Sequence, residues 1–449
     1  MVNKNSPLAR LLEGLSGDGL GAVLVRGASG TLVVKVIGQA LMFGLQILLA
    51  RLLGGEQFGI YVYVLTWVNV LVLVGKLGWD TALLRYVAVY SSKTVWGAVR
   101  GILRRSAQVT LITSLAVSSV GAFITWALSD RLGPDLTNTF LVGWLVLPIL
   151  CLSGLRQAAL RALRRVVLAQ LPEFVFRPIV VVVLVVAFTA GLGRAIDGPS
   201  TMCLYFVSVL ITFSVGTYWL YHFLPTAVRK SVPVYYNKEW MAVSLPLFLV
   251  GGTYLINSQA DTLMIGLLLD TTEAGIYVVA SRVASLIGFG ILAVNGIAAP
   301  MIAALYAQDR TDELQRILIL GTWGTTIFAL PVSLVLIIWG EVVLGLFGPD
   351  FSAGYTPLII LVIGQLVNAA TGLVGSLMQM SGHQVTAFRV IGGCAIANII
   401  LNVLLIPKWG IEGAAITTAI TTIAWSTILV YAAWRRLGVK AMVKVHPSL

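Results

Sequence analysis

Two apolar runs within residues 244–306, each long enough to cross a hydrocarbon core, carry four polar side chains at membrane depth: Asn257, Asp261, Arg282 and Asn295. An ionisable group placed there faces a polar cavity or a partner, because hydrocarbon solvates neither charge. The polar turn Asp270-Thr271-Thr272-Glu273 joins the runs. Asp261 and Arg282 stand equally far from its middle, about 16 Å along their helices. A carboxylate and a guanidinium at one depth do one of two things. They form a salt bridge that staples the helices, or they line a polar path through the membrane.

Cations at a second depth suggest a chemistry. Lys35 and Lys76 lie equally far from a turn near Gly55, about 30 Å along their helices, which sets both at the cytosolic edge of the bilayer. Arg177 and Arg389 open later apolar runs near the same edge. A ring of such groups suits a pyrophosphate, because hydrogen bonds from Lys and Arg to phosphate are charge-assisted. Snorkelling at the interface is the alternative for each residue taken alone. Neutral polar residues add stripes. Lys35, Gln39 and Gln46 fall within about 40° of one another at 100° per residue. Asn69 and Lys76 share a face, Thr253, Asn257 and Asp261 follow i, i+4, i+8, and Gln365 neighbours Asn368. Interhelical amide hydrogen bonds explain any one of these. Several stripes together favour a cavity.

The elements that must position these residues are membrane helices. The chain has 449 residues, 58% hydrophobic and 11% charged, and its mean hydropathy is +0.94. This is the composition of an all-α polytopic membrane protein, far from the roughly 25% charged residues of soluble domains. About twelve spans are expected, at residues 31–52, 59–78, 107–128, 139–160, 176–193, 201–224, 242–268, 274–303, 317–339, 354–380, 388–407 and 411–434. Basic residues gather in the tails and alternate loops, among them Arg100, Arg104, Arg105, Arg161, Arg164 and Arg165. The other side holds Arg51, Arg131, Arg194 and Lys408. This asymmetry predicts that both termini are cytosolic. It also accounts for the net charge of +12 without nucleic acid. Cys151, Cys203 and Cys394 all fall in apolar segments, with no metal-ligand company, so neither disulfide nor metal chemistry is expected. Outer loops are short, which disfavours a membrane polymerase or glycosyltransferase. Pro246 and Pro300 are expected hinges.

Residues 52–62 (LLGGEQFGIYV) align without gaps on residues 268–278 (LLDTTEAGIYV), which predicts two pseudo-symmetric six-helix bundles. The expected order is a cytosolic segment at 1–30 with an amphipathic helix bearing Leu11, Leu12, Leu15 and Leu20, a first bundle at 31–225, a basic linker at 226–240, a second bundle at 241–435 and a cytosolic tail at 436–449. Repeats of this kind place a substrate path at their interface.

The runs ARLLGGEQFGIYVYV, LGWDTALLRYVAVY, NSQADTLMIG, AGIYVVASRVASL, AAPMIAALY and LNVLLIPKWGIEGAAITTAITT together resemble the polysaccharide transporter family of the multidrug/oligosaccharidyl-lipid/polysaccharide superfamily. That resemblance covers essentially the full chain and includes the O-antigen flippases. It implies two bundles arranged in a V, as in multidrug exporters of the superfamily, with a cationic cavity between them. It further implies transport of an undecaprenyl-pyrophosphate-linked oligosaccharide across the bacterial cytoplasmic membrane for surface polysaccharide biosynthesis, without catalysis. Membrane lipids, and assembly proteins such as a polysaccharide polymerase, are the implied partners, and no cofactor is implied; coupling to a Na+ or H+ gradient is left open. Residues carried over are the charged positions of the matched segments, chiefly Arg51, Asp261 and Arg282. A lipid II flippase would be expected to carry two further helices, and a cation-coupled drug exporter several membrane acids. Asp261 is the single deep acid against several cations, which favours an anionic substrate.

Overall fold

The computed structural model describes residues 20–193 and 195–438. Most of the expected amphipathic helix, and Arg194, lie outside them. Among the described residues there is no strand. The chain runs through helices α1 (Leu20–Lys76), α2 (Trp79–Ser92), α3 (Trp96–Ala127), α4 (Pro134–Ala162), α5 (Val166–Leu171), α6 (Arg177–Leu192), α7 (Gly198–Phe223) and α8 (Thr226–Lys230). It continues through α9 (Asn237–Leu268), α10 (Thr271–Ala284), α11 (Gly288–Ala307), α12 (Thr311–Gly345), α13 (Tyr355–Thr371), α14 (Val374–Met380) and α15 (Gln384–Leu437).

By length and apolar composition the described residues hold nine helices able to cross a membrane, or ten when Asn237–Thr253 and Asn257–Leu268, bent by 61° at their break, count as one. The count is lower than twelve because two of these helices each enclose two expected spans. In α1 the helix kinks at Gly54 (φ 71°, ψ 175°), and in α15 at Gly410 (φ 58°, ψ −140°). Positive φ costs a residue with a Cβ, so glycine is what permits so tight a junction. Elsewhere polar caps do this work: the Asp270 carboxylate accepts the Glu273 N–H (2.8 Å) and starts α10. The expected proline hinges are not where the helices break. α9 bends at residues 254–256, beyond Pro246, and the 3-10 turn Ser285–Ile287 separates α10 from α11, well before Pro300.

The chain divides into two compact units, residues 1–46 with 71–248 and residues 47–70 with 249–449. These boundaries differ from the expected ones for local reasons. Residues 47–70 pack within the second unit, where the Gly55 N–H donates to Asp350 Oδ2 (3.0 Å) and the Arg51 guanidinium to Leu346 O (2.6 Å). A Cβ on Gly275 would lie 2.7 Å from Gly59 Cα, so equivalent glycines of the two repeat copies meet backbone to backbone. The linker packs within the first unit. Val234 N–H donates to Gly97 O (2.9 Å), Arg100 to Ser231 O (2.6 Å), and a Cβ at Gly101 would stand 1.8 Å from Val234 O. The G-x-x-x-G of α3 therefore receives the linker backbone.

In the first unit α4 is central, packing against α2, α3 and α7. α3 meets it through a stripe of small residues, Thr110, Ser114, Ser118, Gly121 and Thr125, which permits close helix approach. Ser118 donates to Trp144 O (2.8 Å) and Trp144 Nε1 to Thr125 Oγ1 (3.0 Å). A cluster of Trp79, Tyr86, Ile102, Leu155 and Trp240 closes one end. In the second unit, Ile302, Leu314, Leu318, Leu377, Met378 and Leu429 form the core.

Candidate functional site

Asp261 is buried on α9 in the second unit and is caged by neutral donors. Its carboxylate accepts hydrogen bonds from the Tyr277 hydroxyl on α10 (2.7 Å), from Asn402 Nδ2 on α15 (2.6 Å), and from the Thr418 hydroxyl, also on α15. A second layer supports the first: Asn402 Nδ2 also reaches Asn398 Oδ1 (3.0 Å), and Asn398 Nδ2 lies 3.3 Å from Thr418 Oγ1. Asn402 Oδ1 is buried and not hydrogen bonded. One carboxylate ringed by hydroxyl and amide groups is an oxygen-rich set, suited to a proton or a hard monovalent cation. Among the described residues no group of three or more His, Cys, Asp or Glu is placed to hold a metal ion.

Of the two readings open for Asp261 and Arg282, the salt bridge is not formed. Equal depth fixes only the height of a side chain, and Arg282 lies about 140° round α10 from Tyr277, the residue that takes the carboxylate. Among the described residues the ion pairs are Lys76–Asp80, Arg156–Glu173 and Arg310–Glu313. Lys76 Nζ sits 2.6 Å from Asp80 Oδ2, so this edge cation is already partnered one turn on.

Arg177 also departs from expectation. The helical run begins at Val166 and passes through a π-helical turn, Pro172–Phe176, so Arg177 stands about 16 Å along it. There it joins a buried cluster in the first unit with Arg156 and Glu173, its Nε and Nη2 buried without hydrogen bonds. Arg156 itself is 4% exposed. It donates to Thr212 O (3.0 Å), to Phe213 O (3.1 Å) and to Glu173.

The remaining candidates are scattered. Gln365 and Asn368 contact each other (3.4 Å), and Asn295 Oδ1 accepts from Ser376 (2.7 Å). Lys35, Gln39, Gln46, Asn257 and Arg282 are half-buried, whereas Arg51, Asn69 and Arg389 are exposed. Sequence reasoning missed Tyr277, Asn398, Asn402 and Thr418. The i, i+4 spacing of Asn398 and Asn402, the same as that of Asn257 and Asp261, was the available signal.

Comparisons with known proteins give this polytopic helical fold its family. The model of the "Polysaccharide biosynthesis protein" family matches residues 24–306, and the MatE model residues 246–404. The chain belongs to the polysaccharide biosynthesis protein family. It is 31% identical over 178 residues to the "Probable flippase AglR" of Haloferax volcanii, a match covering 39% of this chain and 37% of that protein. Among solved structures, an inward-facing multidrug resistance MATE family transporter of the MOP superfamily superposes with a TM-score of 0.70 at 16% identity, covering 95% of this chain and 97% of that one. The lipid II flippase MurJ in an inward closed conformation gives 0.69 at 15% identity, covering 90% and 87%. These likenesses establish the MATE-like fold of this multi-pass membrane protein.

Proposed function

We propose that the protein is a flippase, a transporter and not an enzyme, that moves a lipid-linked oligosaccharide across the membrane by alternating access. The carrier is a polyprenyl pyrophosphate, undecaprenyl pyrophosphate in a bacterial cytoplasmic membrane, and the glycan is destined for a surface polysaccharide such as O-antigen or exopolysaccharide. Both termini are cytosolic, twelve helices carry a cationic path for the substrate, and a polysaccharide polymerase receives the product. The observation that carries this reading is the engagement of Asp261. Its carboxylate is held by the neutral donors Tyr277, Asn402 and Thr418 rather than by an ion pair, and the membrane helices carry more basic than acidic side chains, a balance suited to a pyrophosphate. The relative named a probable flippase supports the same activity. The Asp261 cage takes the coupling proton or Na+ ion, since its charge lies apart from the cations that meet substrate.

Proteoliposomes test this. Loaded with a lipid-linked oligosaccharide, wild-type protein should bring the glycan within reach of an added glycosidase. Arg282→Gln should stop that while leaving the protein folded in the membrane. Wild-type flipping by Arg282→Gln would refute the role of this residue. Export of cationic dyes with no glycan movement would establish a drug exporter instead, the reading favoured by the MatE match over residues 246–404.

A further inference from the structure

The first unit contains a cavity of about 600 Å³ between α3, α4, α7 and the linker helix α8, remote in sequence from the expected substrate path. Four arginines line it, Arg100, Arg104, Arg156 and Arg229, and no acidic residue does. Glu173, which pairs with Arg156, leaves three arginine charges uncompensated at the wall. Arg100 and Arg104 are one turn apart on α3 and so present to the same side. Arg229 comes from α8, its guanidinium 4.1 Å over the Tyr221 ring. Two buried guanidinium nitrogens have no hydrogen-bond acceptor, Arg156 Nε and Arg229 Nε, although Arg156 is 4% exposed. The rest of the wall is apolar, with Leu103, Leu152, Leu155 and Leu220 prominent, and Tyr221 at its mouth is 64% exposed.

We propose that this cavity binds an anionic phospholipid of the surrounding membrane, its phosphate held by Arg100, Arg104 and Arg229 and one acyl chain laid along the leucines. The cations alone would suit any phosphate. The apolar wall selects one that carries hydrocarbon, because it would otherwise stay wet. The helices that line the cavity carry no residue of the expected path, although Arg156 of its wall clusters with Arg177, so the competitors named below are what separate a resident lipid from transported cargo. The site also joins α3 to the linker, so its occupant braces the segment that connects the two repeats. This inference does not depend on the transport reading.

Native mass spectrometry of the full chain in detergent tests it, with phosphatidylglycerol and phosphatidylcholine of identical chains as probes. Phosphatidylglycerol should bind at least about tenfold more tightly, because the quaternary ammonium of phosphatidylcholine brings a like charge up to the arginines while both lipids offer the same phosphate. The triple variant Arg100→Gln, Arg104→Gln, Arg229→Gln should lose that preference. Arg100 also holds the linker, so a second variant, Ala107→Trp, fills the cavity and keeps its charges; it too should lose the lipid. Equal affinity for the two lipids, or wild-type phosphatidylglycerol binding in both variants, would overturn the proposal. Two competitors address the other sources of phosphate. Displacement of phosphatidylglycerol by equimolar inorganic pyrophosphate would show a site for a free anion, and displacement by substoichiometric undecaprenyl pyrophosphate a site for the carrier lipid; either result refutes a resident phospholipid.

Discussion

At the scale of the residue, Asp261 gathers donors that lie far from it in the chain, and its replacement has a graded cost. Asp261→Ala leaves the Tyr277 hydroxyl, the Thr418 hydroxyl and an Asn402 amide proton without their acceptor. At about 1–3 kcal/mol for each stranded buried group, the loss should be on the order of 3 kcal/mol or more. Asp261→Asn keeps one acceptor oxygen and should cost clearly less. Thermal unfolding of the purified variants in one detergent ranks them, and equal melting temperatures would contradict the cage. The swap of Asp261→Arg with Arg282→Asp should recover neither stability nor transport, because the two side chains are not an ion pair. Gly216 makes a comparable point in the first unit. A Cβ there would lie 2.0 Å from Arg156 Nη1, so Gly216→Ala should push the guanidinium off Glu173 and cost about 1–3 kcal/mol. Unchanged stability in that variant would mean that Arg156 can retreat. Lys76 shows how a reading by residue type misleads. Its partner Asp80 was visible at i, i+4, but it lay beyond the expected end of the span at residue 78, and the pair was overlooked.

At the scale of the element, long apolar runs made the membrane helices legible, since hydrocarbon enforces a minimum length that few other structures need. The breaks were legible only in part. Gly54 and Gly410 sit at expected span boundaries, whereas the bend at residues 254–256 and the 3-10 turn at 285–287 carry no proline and could not be read from breaker residues. Nor could the cage, whose members come from α9, α10 and α15; periodicity reports which face a residue occupies, not which helix that face meets. The duplicated segment offers a sharper test. Gly59 and Gly275, equivalent in the repeat, touch through their backbones, and a Cβ on Gly59 would stand 2.2 Å from Thr271 O. Gly59→Ala should therefore destabilise the packing of residues 51–63 on α10, with protease cleavage after Arg51 as the readout. A cleavage rate equal to wild type would show that the contact yields freely.

At the scale of the whole molecule, the fold class followed from composition, and membership of the polysaccharide biosynthesis protein family from residues spread over 24–306. Orientation in the membrane rests on the arrangement of its basic residues. In a background lacking Cys151, Cys203 and Cys394, a cysteine at position 104 should react with an impermeant maleimide only after the cytosolic face is opened. Labelling of intact cells at that position would invert the topology. The sequence marks residues 226–240 as a basic linker and no more, because a basic, loop-like stretch gives no sign of what it lies against.

The seating of that linker on Gly97 and Gly101 limits how the gene can vary. Surface connections ordinarily accept extra residues at little cost, since closure entropy grows only slowly with length. Here Ser231 and Val234 are fixed to α3 at a spacing set by one helical turn, so the stretch between them behaves as a measured tie. Insertions should be accepted before Ser231 or after Val234 and rejected between them. The same glycines in a membrane helix would ordinarily serve to pair it with another helix. Because the chain's own backbone already fills that groove, a second molecule is denied it for as long as the tie stays in place.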